Sequence, residues 1–242
     1  MPTAFDPEEV RRKAADFETA SLEEILRWCW ETHGEKAAIG TSFQGAGLVA
    51  IHTAYQKGYR FPVFTIDTGL LFPETLELKA RIESLLGIQI ESLIPEQSVE
   101  EQAAELGPEL WNHKPDLCCT LRKVIPLQKK LAELDVWITG LRRQQSDVRQ
   151  QTQILELYKF DVLRDRHLLK LNPLANWSRE QVQAYLAANG IPANALTAKG
   201  YRSIGCIPCT RPISEGDSER AGRWTGFDKS ECGIHTFLGA SI

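Results

Sequence analysis

The stretch KAAIGTSFQGAGLVAIHTAYQKG, residues 36–58, decides the fold. KAAIGTS has the length and apolar character of a short buried strand, FQGAG follows as a loop of small residues, and LVAIHTAYQKG reads as a helix closed by Gly58. The pattern then repeats. FPVFTID (61–67) is a second strand, TGLLF (68–72) a loop, and PETLELKARIESLLG (73–87) a helix with proline at its first position and glycine past its last turn. IQIESL and VWITG continue the strand series with helical segments between them. This alternation predicts an α/β fold, a mostly parallel sheet with helices on both faces. Ligands of such sheets bind at the carboxyl ends of the strands, which selects the loops 41–47, 67–69 and 140–143.

Outward from this block, Asp6 and Pro7 open one helix, and Ser21 to Glu24 form a capping box for a second, which Gly34 ends. In that second helix Leu22, Ile25, Leu26 and Cys29 make an apolar stripe, so Cys29 is expected in the core. After Gly140, ILELYKFDVLRDRHLLKLNPL reads as two short strands around a polar turn, and SREQVQAYLAANG as a capped helix ending at Gly190. Beyond Gly190 the chain is rich in Gly, Pro, Cys and Arg and loses periodicity, so an irregular C-terminal segment is expected.

With 242 residues the chain can bury a core of its own, and a net charge of −4 argues against a protein that coats nucleic acid or a membrane surface. No run approaches the roughly 18 apolar residues of a spanning helix, and the start of the chain has no apolar stretch. A cytoplasmic location is the expectation; oligomeric state is left open. Six cysteines in a reducing compartment point to metal binding or thiol chemistry rather than to a disulfide framework.

Cys118 and Cys119 are adjacent, and Cys206 and Cys209 form a CxxC. Four thiolates in two pairs suit either zinc or an iron–sulfur cluster. Adjacent side chains on a helix point about 100° apart, which is awkward for one small ion and easier for a group with separated corners; from these residues zinc and a cluster both stand. The loop TSFQGAG, with Ser42 and Gly45, offers backbone N–H groups and a helix start to an anion, but it lacks the Gly-Lys-Ser/Thr of a Walker loop. Arg142, Arg143, Arg149, Arg211, Arg220 and Arg223 lie outside regular structure and are candidate clasps for phosphate or sulfate oxygens. In the tail stretch SECGIHT, Cys232 stands apart from both pairs, three residues before His235. Nearby arginines would lower its pKa, making it either a nucleophile on a closing tail or an incidental thiol at a chain end.

With CC, CxxC and ECGIHT together, the chain resembles the assimilatory adenylyl-sulfate (APS) reductases, relatives of the phosphoadenylyl-sulfate (PAPS) reductases. The resemblance runs from AAIGTSF through TIDTGLLFPET, CCTLRKV, TGLRRQQS, GYRSIGCIPCTRP and ERAGRW to ECGIHT. It implies the adenine nucleotide alpha hydrolase-like fold, with residues 1–190 as the nucleotide-binding reductase domain and 191–242 as a C-terminal segment of the same domain. It further implies one 4Fe-4S cluster on Cys118, Cys119, Cys206 and Cys209, and thiol-dependent reduction of APS to sulfite and AMP in sulfate assimilation. Cys232 would attack the sulfur and become an S-sulfocysteine, which thioredoxin or glutaredoxin would discharge. Lys123, Arg149, Arg220, Arg223 and His235 would bind the phosphosulfate, with Ser42 and Gly45 on the nucleotide side. PAPS is the alternative substrate: Phe72 resembles the PAPS branch, and QGAGLV lacks the acidic pair common in the APS branch. A tRNA-thiolation protein of similar fold would want a basic RNA surface, which the acidic balance disfavours. A non-enzymatic metal-binding module would make the tail dispensable.

Overall fold

Four small or apolar residues after the turn Gly34–Lys36 form strand β1 (Ala37–Gly40). A computed structural model describes residues 5–161, 163–229 and 231–235, so Ser230 and Thr236 of the tail stretch lie outside the described residues. Strands β2 (Val63–Ile66), β3 (Ile90–Leu93), β4 (Val136–Ile138), β5 (Leu155–Asp161) and β6 (Arg166–Leu171) complete a sheet of order β3-β2-β1-β4-β6-β5. All neighbours are parallel except β5 with β6, the hairpin expected from the sequence, which leaves β5 as an antiparallel edge. The chain winds from β1 to β3 in one direction and resumes at β4 on the other side of β1. The crevice between the ends of β1 and β4 is therefore the switch point where such sheets bind ligands.

Side chains alternate across the sheet and feed two cores. One collects Ala37, Ile39, Val63, Val136 and Ile138 under the helices α1 (Pro7–Phe17), α2 (Leu22–His33), α3 (Gly45–Gln56) and α4 (Pro73–Leu86). Cys29 belongs there, fully buried. The other face carries Ala38, Phe64, Trp137, Tyr158 and Leu168. Between β3 and β4 run α5 (Val99–Leu106), α6 (Leu110–His113), α7 (Pro115–Cys119) and α8 (Ile125–Leu131), of which α8 lays Leu127 and Leu131 on this second core. Ile234 of the tail packs on the same core, so the C-terminal stretch has a core to join.

Helix caps fall where the sequence placed them: Asp6 accepts from the Glu8 N–H, and Ser21 with Glu24 closes a reciprocal box. The helix α9 (Arg179–Ala188) has the same device in Ser178 and Gln181 and also covers the first core. One boundary differs. α3 starts at Gly45, inside the stretch expected to be loop, because its glycines allow close approach. A Cβ on Gly45 would stand 2.6 Å from Val182 Cγ1, and one on Gly140 would stand 2.7 Å from the Gly47 nitrogen. The end of β4 thus sits against the first turn of α3. Beyond α9 the described chain has the short 3-10 turns Ala195–Lys199 and Ile207–Cys209 and two isolated β-bridges, Leu71 with Cys206 and Thr210 with Arg223, in the expected irregular segment. Among the described residues no helix is long and apolar enough to cross a membrane.

Candidate active site

At the switch point lies a cleft of about 290 Å³. Its walls include Thr41, Ser42 and Gly45 after β1, Thr68 after β2, and Gly140 and Arg142 after β4. All three loops selected from the sequence therefore meet at one place, although in the 67–69 loop only Thr68 reaches the cleft. Asp67 is used locally, where its Oδ1 accepts the Gly69 N–H at 3.0 Å. Gln44 fastens the first loop to the C-terminal segment: its Nε2 donates to the Ile204 carbonyl at 3.2 Å and its Oε1 accepts the Ile204 N–H at 3.3 Å.

Cys118, Cys119, Cys206 and Cys209 line a second, smaller cavity, with Lys123 and Cys206 in the wall it shares with the cleft. Helix α7 delivers the first two thiols at its end and then widens into a π turn, Thr120–Val124. Pro126 explains the widening, since it has no N–H to donate and its ring crowds the carbonyl of Arg122. Arg122 and Lys123 both point inward as a result. Arg122 secures the β2 loop, donating from Nε to the Thr68 carbonyl at 2.6 Å and from Nη1 to Gln102 Oε1 at 3.1 Å. The CxxC turn is held from the same loop: Ile207 N–H donates to the Leu70 carbonyl at 2.8 Å, and Thr68 Oγ1 lies 3.3 Å from Cys206 Sγ.

Burial first, and then the neighbouring thiols, pushes Cys118 up to about 12, while burial raises Cys119 to about 11 against the opposing charge of Lys123. Four thiols lining one cavity fit a cationic group that would draw off their protons on binding. No three Cys, His, Asp or Glu side chains among the described residues converge on a single ion.

Cys232 is half-buried in the cleft, not the cysteine cavity. Burial raises its pKa, but Lys123, the Ile234 backbone N–H and Arg223 outweigh that, and the net shift is downward. Lys123 shows the converse: burial disfavours its charge, yet the thiols of Cys206, Cys119 and Cys232 raise its pKa overall. Arg149, Arg220, Arg223 and His235 also line the cleft. Arg223 lies over the Trp224 ring at 4.4 Å, where Arg220 and Lys229 also gather at 5.7 and 5.4 Å. Burial, and then the charge of Arg149, lowers Arg220 to about 10.

The tail is anchored along its length. Lys229 pairs with Asp116 beside the cysteine cavity, and the Tyr158 hydroxyl donates to the Ile234 carbonyl at 3.2 Å. Glu231 binds both Arg149 and Arg220. His235 stacks on Trp137, and its buried Nδ1 has no partner among the described residues. Beneath these rings Lys170 is fully buried, paired with Glu156 at 2.9 Å and 4.4 Å from the Tyr158 ring.

Of the arginines expected to clasp anions, three are committed to the fold. Arg142 grips both oxygens of Glu219 at 2.9 and 3.0 Å, Arg143 does the same to Glu18 at 2.7 and 2.9 Å, and Arg211 donates to the carbonyls of Ile207 and Thr210. Phe72 packs edge-on against Tyr201 and is not among the described residues that line the cleft. Sequence reasoning named Thr68 only as part of the 67–69 loop and gave no role to Arg122, Trp137, Lys170 or Glu231. Arg122 and Glu231 had a local signal, their places beside Lys123 and Cys232 in the quoted motifs.

A profile of the phosphoadenosine phosphosulfate reductase domain matches residues 36–212. The chain is 42% identical over 224 residues to the adenosine 5′-phosphosulfate reductase of Streptomyces coelicolor, covering 93% of this chain and 92% of that protein. It is 41% identical over 214 residues to adenosine 5′-phosphosulfate reductase 2 of Bacillus subtilis, covering 88% of each. Among solved structures, the PAPS reductase of Candida auris in its phosphate complex superposes with a TM-score of 0.76 at 29% identity, covering 87% of this chain and 100% of that one. The FMN adenylyltransferase of Candida glabrata in complex with ATP shares the fold alone, with a TM-score of 0.58 at 11% identity over 95% of this chain and 78% of that one.

Proposed function

The chain belongs to the phosphoadenosine phosphosulfate reductase family, and from that premise we propose that it reduces adenosine 5′-phosphosulfate to sulfite and AMP through a sulfonated Cys232. The observation that carries this reading is the separation of the sulfurs. Four thiols line one cavity, with Cys206 also reaching the cleft, while Cys232 lines only the neighbouring cleft, among cations that favour its thiolate.

In this reading Ser42, Gly45 and the first turn of α3 receive the nucleotide, and its phosphosulfate faces Cys232. The thiolate attacks sulfur, a new S–S bond forms, and the S–O bond to AMP breaks with its electron pair leaving on the phosphate oxygen. Lys123, Arg223, Arg220 and Arg149 offset the repulsion between two anions and stabilise charge on the departing phosphate. His235, held neutral by burial and surrounding cations, has its free Nδ1 for an oxygen of the same group. An external dithiol protein of the thioredoxin or glutaredoxin class then attacks Cys232 Sγ. Sulfite leaves with the S–S electron pair, and the second thiol of that protein resolves the mixed disulfide, so two thiols are oxidised for each sulfite formed.

Cys118, Cys119, Cys206 and Cys209 would hold a 4Fe-4S cluster. When bound, such a cluster supplies a fixed anchor for α7 and the CxxC turn and a local charge beside Lys123, the electrons being those of the dithiol. Reduction belongs to the cytoplasmic compartment, where such dithiol proteins are kept reduced.

Protein purified without oxygen, incubated with APS and no reductant and then weighed intact, tests the proposal. An added SO3 group on the Cys232 peptide, with one AMP released per chain, is expected. AMP release with Cys232 unmodified would overturn it. The same incubation with PAPS measures the preference between the two nucleotides.

A further inference from the structure

Glu231 is the residue before the thiol, and its carboxylate is almost fully enclosed, with a side-chain exposure of 9%. Its Oε1 accepts from Arg149 Nε at 2.9 Å and its Oε2 from Arg149 Nη2 at 2.9 Å, a parallel two-bond fork. Oε2 also accepts from Arg220 Nη2 at 3.1 Å. Arg149 itself is 6% exposed and is steadied on its other side, where Nη1 donates to Gln145 Oε1 at 2.5 Å.

Two guanidinium groups buried side by side repel each other and need an anion between them. Here the tail supplies that anion. The fork also fixes direction, because two parallel N–H···O bonds define the plane of the carboxylate. Because Glu231 is bonded directly to Cys232, the fork orients the backbone that carries the thiol.

We propose that Glu231 is a positioning residue: its carboxylate, clasped by Arg149 and Arg220, latches the tail into the cleft and seats Cys232. Arg149 and Arg220 thus hold the tail as well as lining the cleft, while the charges of Lys123 and Arg223 act on the thiol. The other anchors are weaker in this respect. Lys229 pairs with an Asp116 that is 85% exposed, and the Ile234 carbonyl receives a single hydrogen bond. The latch gives the tail a release that the proposed reaction needs, since the sulfonated thiol must become accessible to a second protein.

The inference rests on the reading of Cys232 as the reacting thiol, but its test uses no substrate. Full-length, cluster-loaded protein is treated with iodoacetamide without nucleotide, and alkylation of Cys232 is followed by mass spectrometry, with buried Cys29 as the internal control for folding. Rates are compared on the alkaline plateau, where the thiol is ionised in every variant and the loss of a neighbouring negative charge no longer matters. Glu231→Gln is expected to raise the plateau rate at least fivefold, and Glu231→Asp to bring it part of the way back. Trypsin cleavage after Lys229 should accelerate in the same order. Equal plateau rates and equal cleavage in wild type and Glu231→Gln would overturn the latch. If Glu231→Gln exposes Cys29, the decision passes to Glu231→Asp, which keeps the charge: a rate above wild type supports the latch, and one equal to it refutes the latch. Failure of the mass test with APS would sink the proposed reaction and leave these results standing.

Discussion

His235 lies flat against Trp137, with ring centroids 5.1 Å apart and planes inclined by 11°. The contact joins the tail to the middle of the sheet, since Trp137 is in β4 and packs in turn on Tyr158 at 5.9 Å. Aromatic stacking of this kind is worth about 1 kcal/mol beyond the area it buries. Trp137→Leu is therefore expected to weaken tail docking about fivefold, with trypsin cleavage after Lys229 rising by that factor while Cys29 stays protected. Unchanged cleavage would show that the stack does not hold the tail.

The same histidine makes docking depend on pH. Burial first, and then the charges of Lys170, Arg149 and Arg220, holds the docked ring well below its ordinary pKa. Glu231 and Glu156 are the negative groups bound to those cations, and they do not reverse the shift. A released tail titrates near about 6.5. Docking is thus at full strength above that value and weakens as pH falls below it, because only the released form takes up the proton there. An NMR titration of the His235 ring reads this directly. A midpoint at the ordinary histidine value, with the tail still protected, would contradict it.

Removing the proposed cluster should leave the sheet standing. Neither hydrophobic core includes Cys118, Cys119, Cys206 or Cys209, and the six strands are held by their own ladders and by Arg142, Arg143 and the helix caps. What the proposed cluster would fasten is the link between α7 and the CxxC turn. Chelation under air is expected to preserve far-ultraviolet circular dichroism while hydrogen exchange over 206–224 quickens about tenfold or more. Collapse of the dichroism signal would show that the sheet itself depends on the metal group.

The sheet was legible because its central strands β1, β2 and β4 are buried along nearly their whole length and its helices carry their caps in the sequence, as Ser21 with Glu24 and Ser178 with Gln181 illustrate. The start of α3 was misjudged because glycine reads as a loop signal, whereas Gly45 and Gly47 are there to let Val182 and Thr41 approach. In the site, residues with a motif were found, and residues that act through distant partners were not. Nothing local marks Lys170 as the buried cation beneath His235, or Thr68 as the hydroxyl beside Cys206; both follow from pairing of segments far apart in the chain. The arginines were over-read for the same reason, since Glu18 and Glu219, which occupy Arg143 and Arg142, come from opposite ends of the sequence.

Gly205 gives a way to move Arg223 without touching it. A Cβ at this position would overlap the end of the Arg223 guanidinium, which is otherwise held by the Cys209 carbonyl at 3.3 Å, Ser203 Oγ at 3.4 Å and the Trp224 face. The obstacle is the tip of a long side chain, so Gly205→Ala costs little stability, but the guanidinium must shift. Misplacing one cation that stabilises developing charge costs on the order of tenfold to a hundredfold in rate. Gly205→Ala is accordingly expected to lower kcat/KM for APS by that amount with a thermal midpoint within a few degrees of wild type. Wild-type kinetics in a variant whose guanidinium has demonstrably moved would remove Arg223 from the reaction.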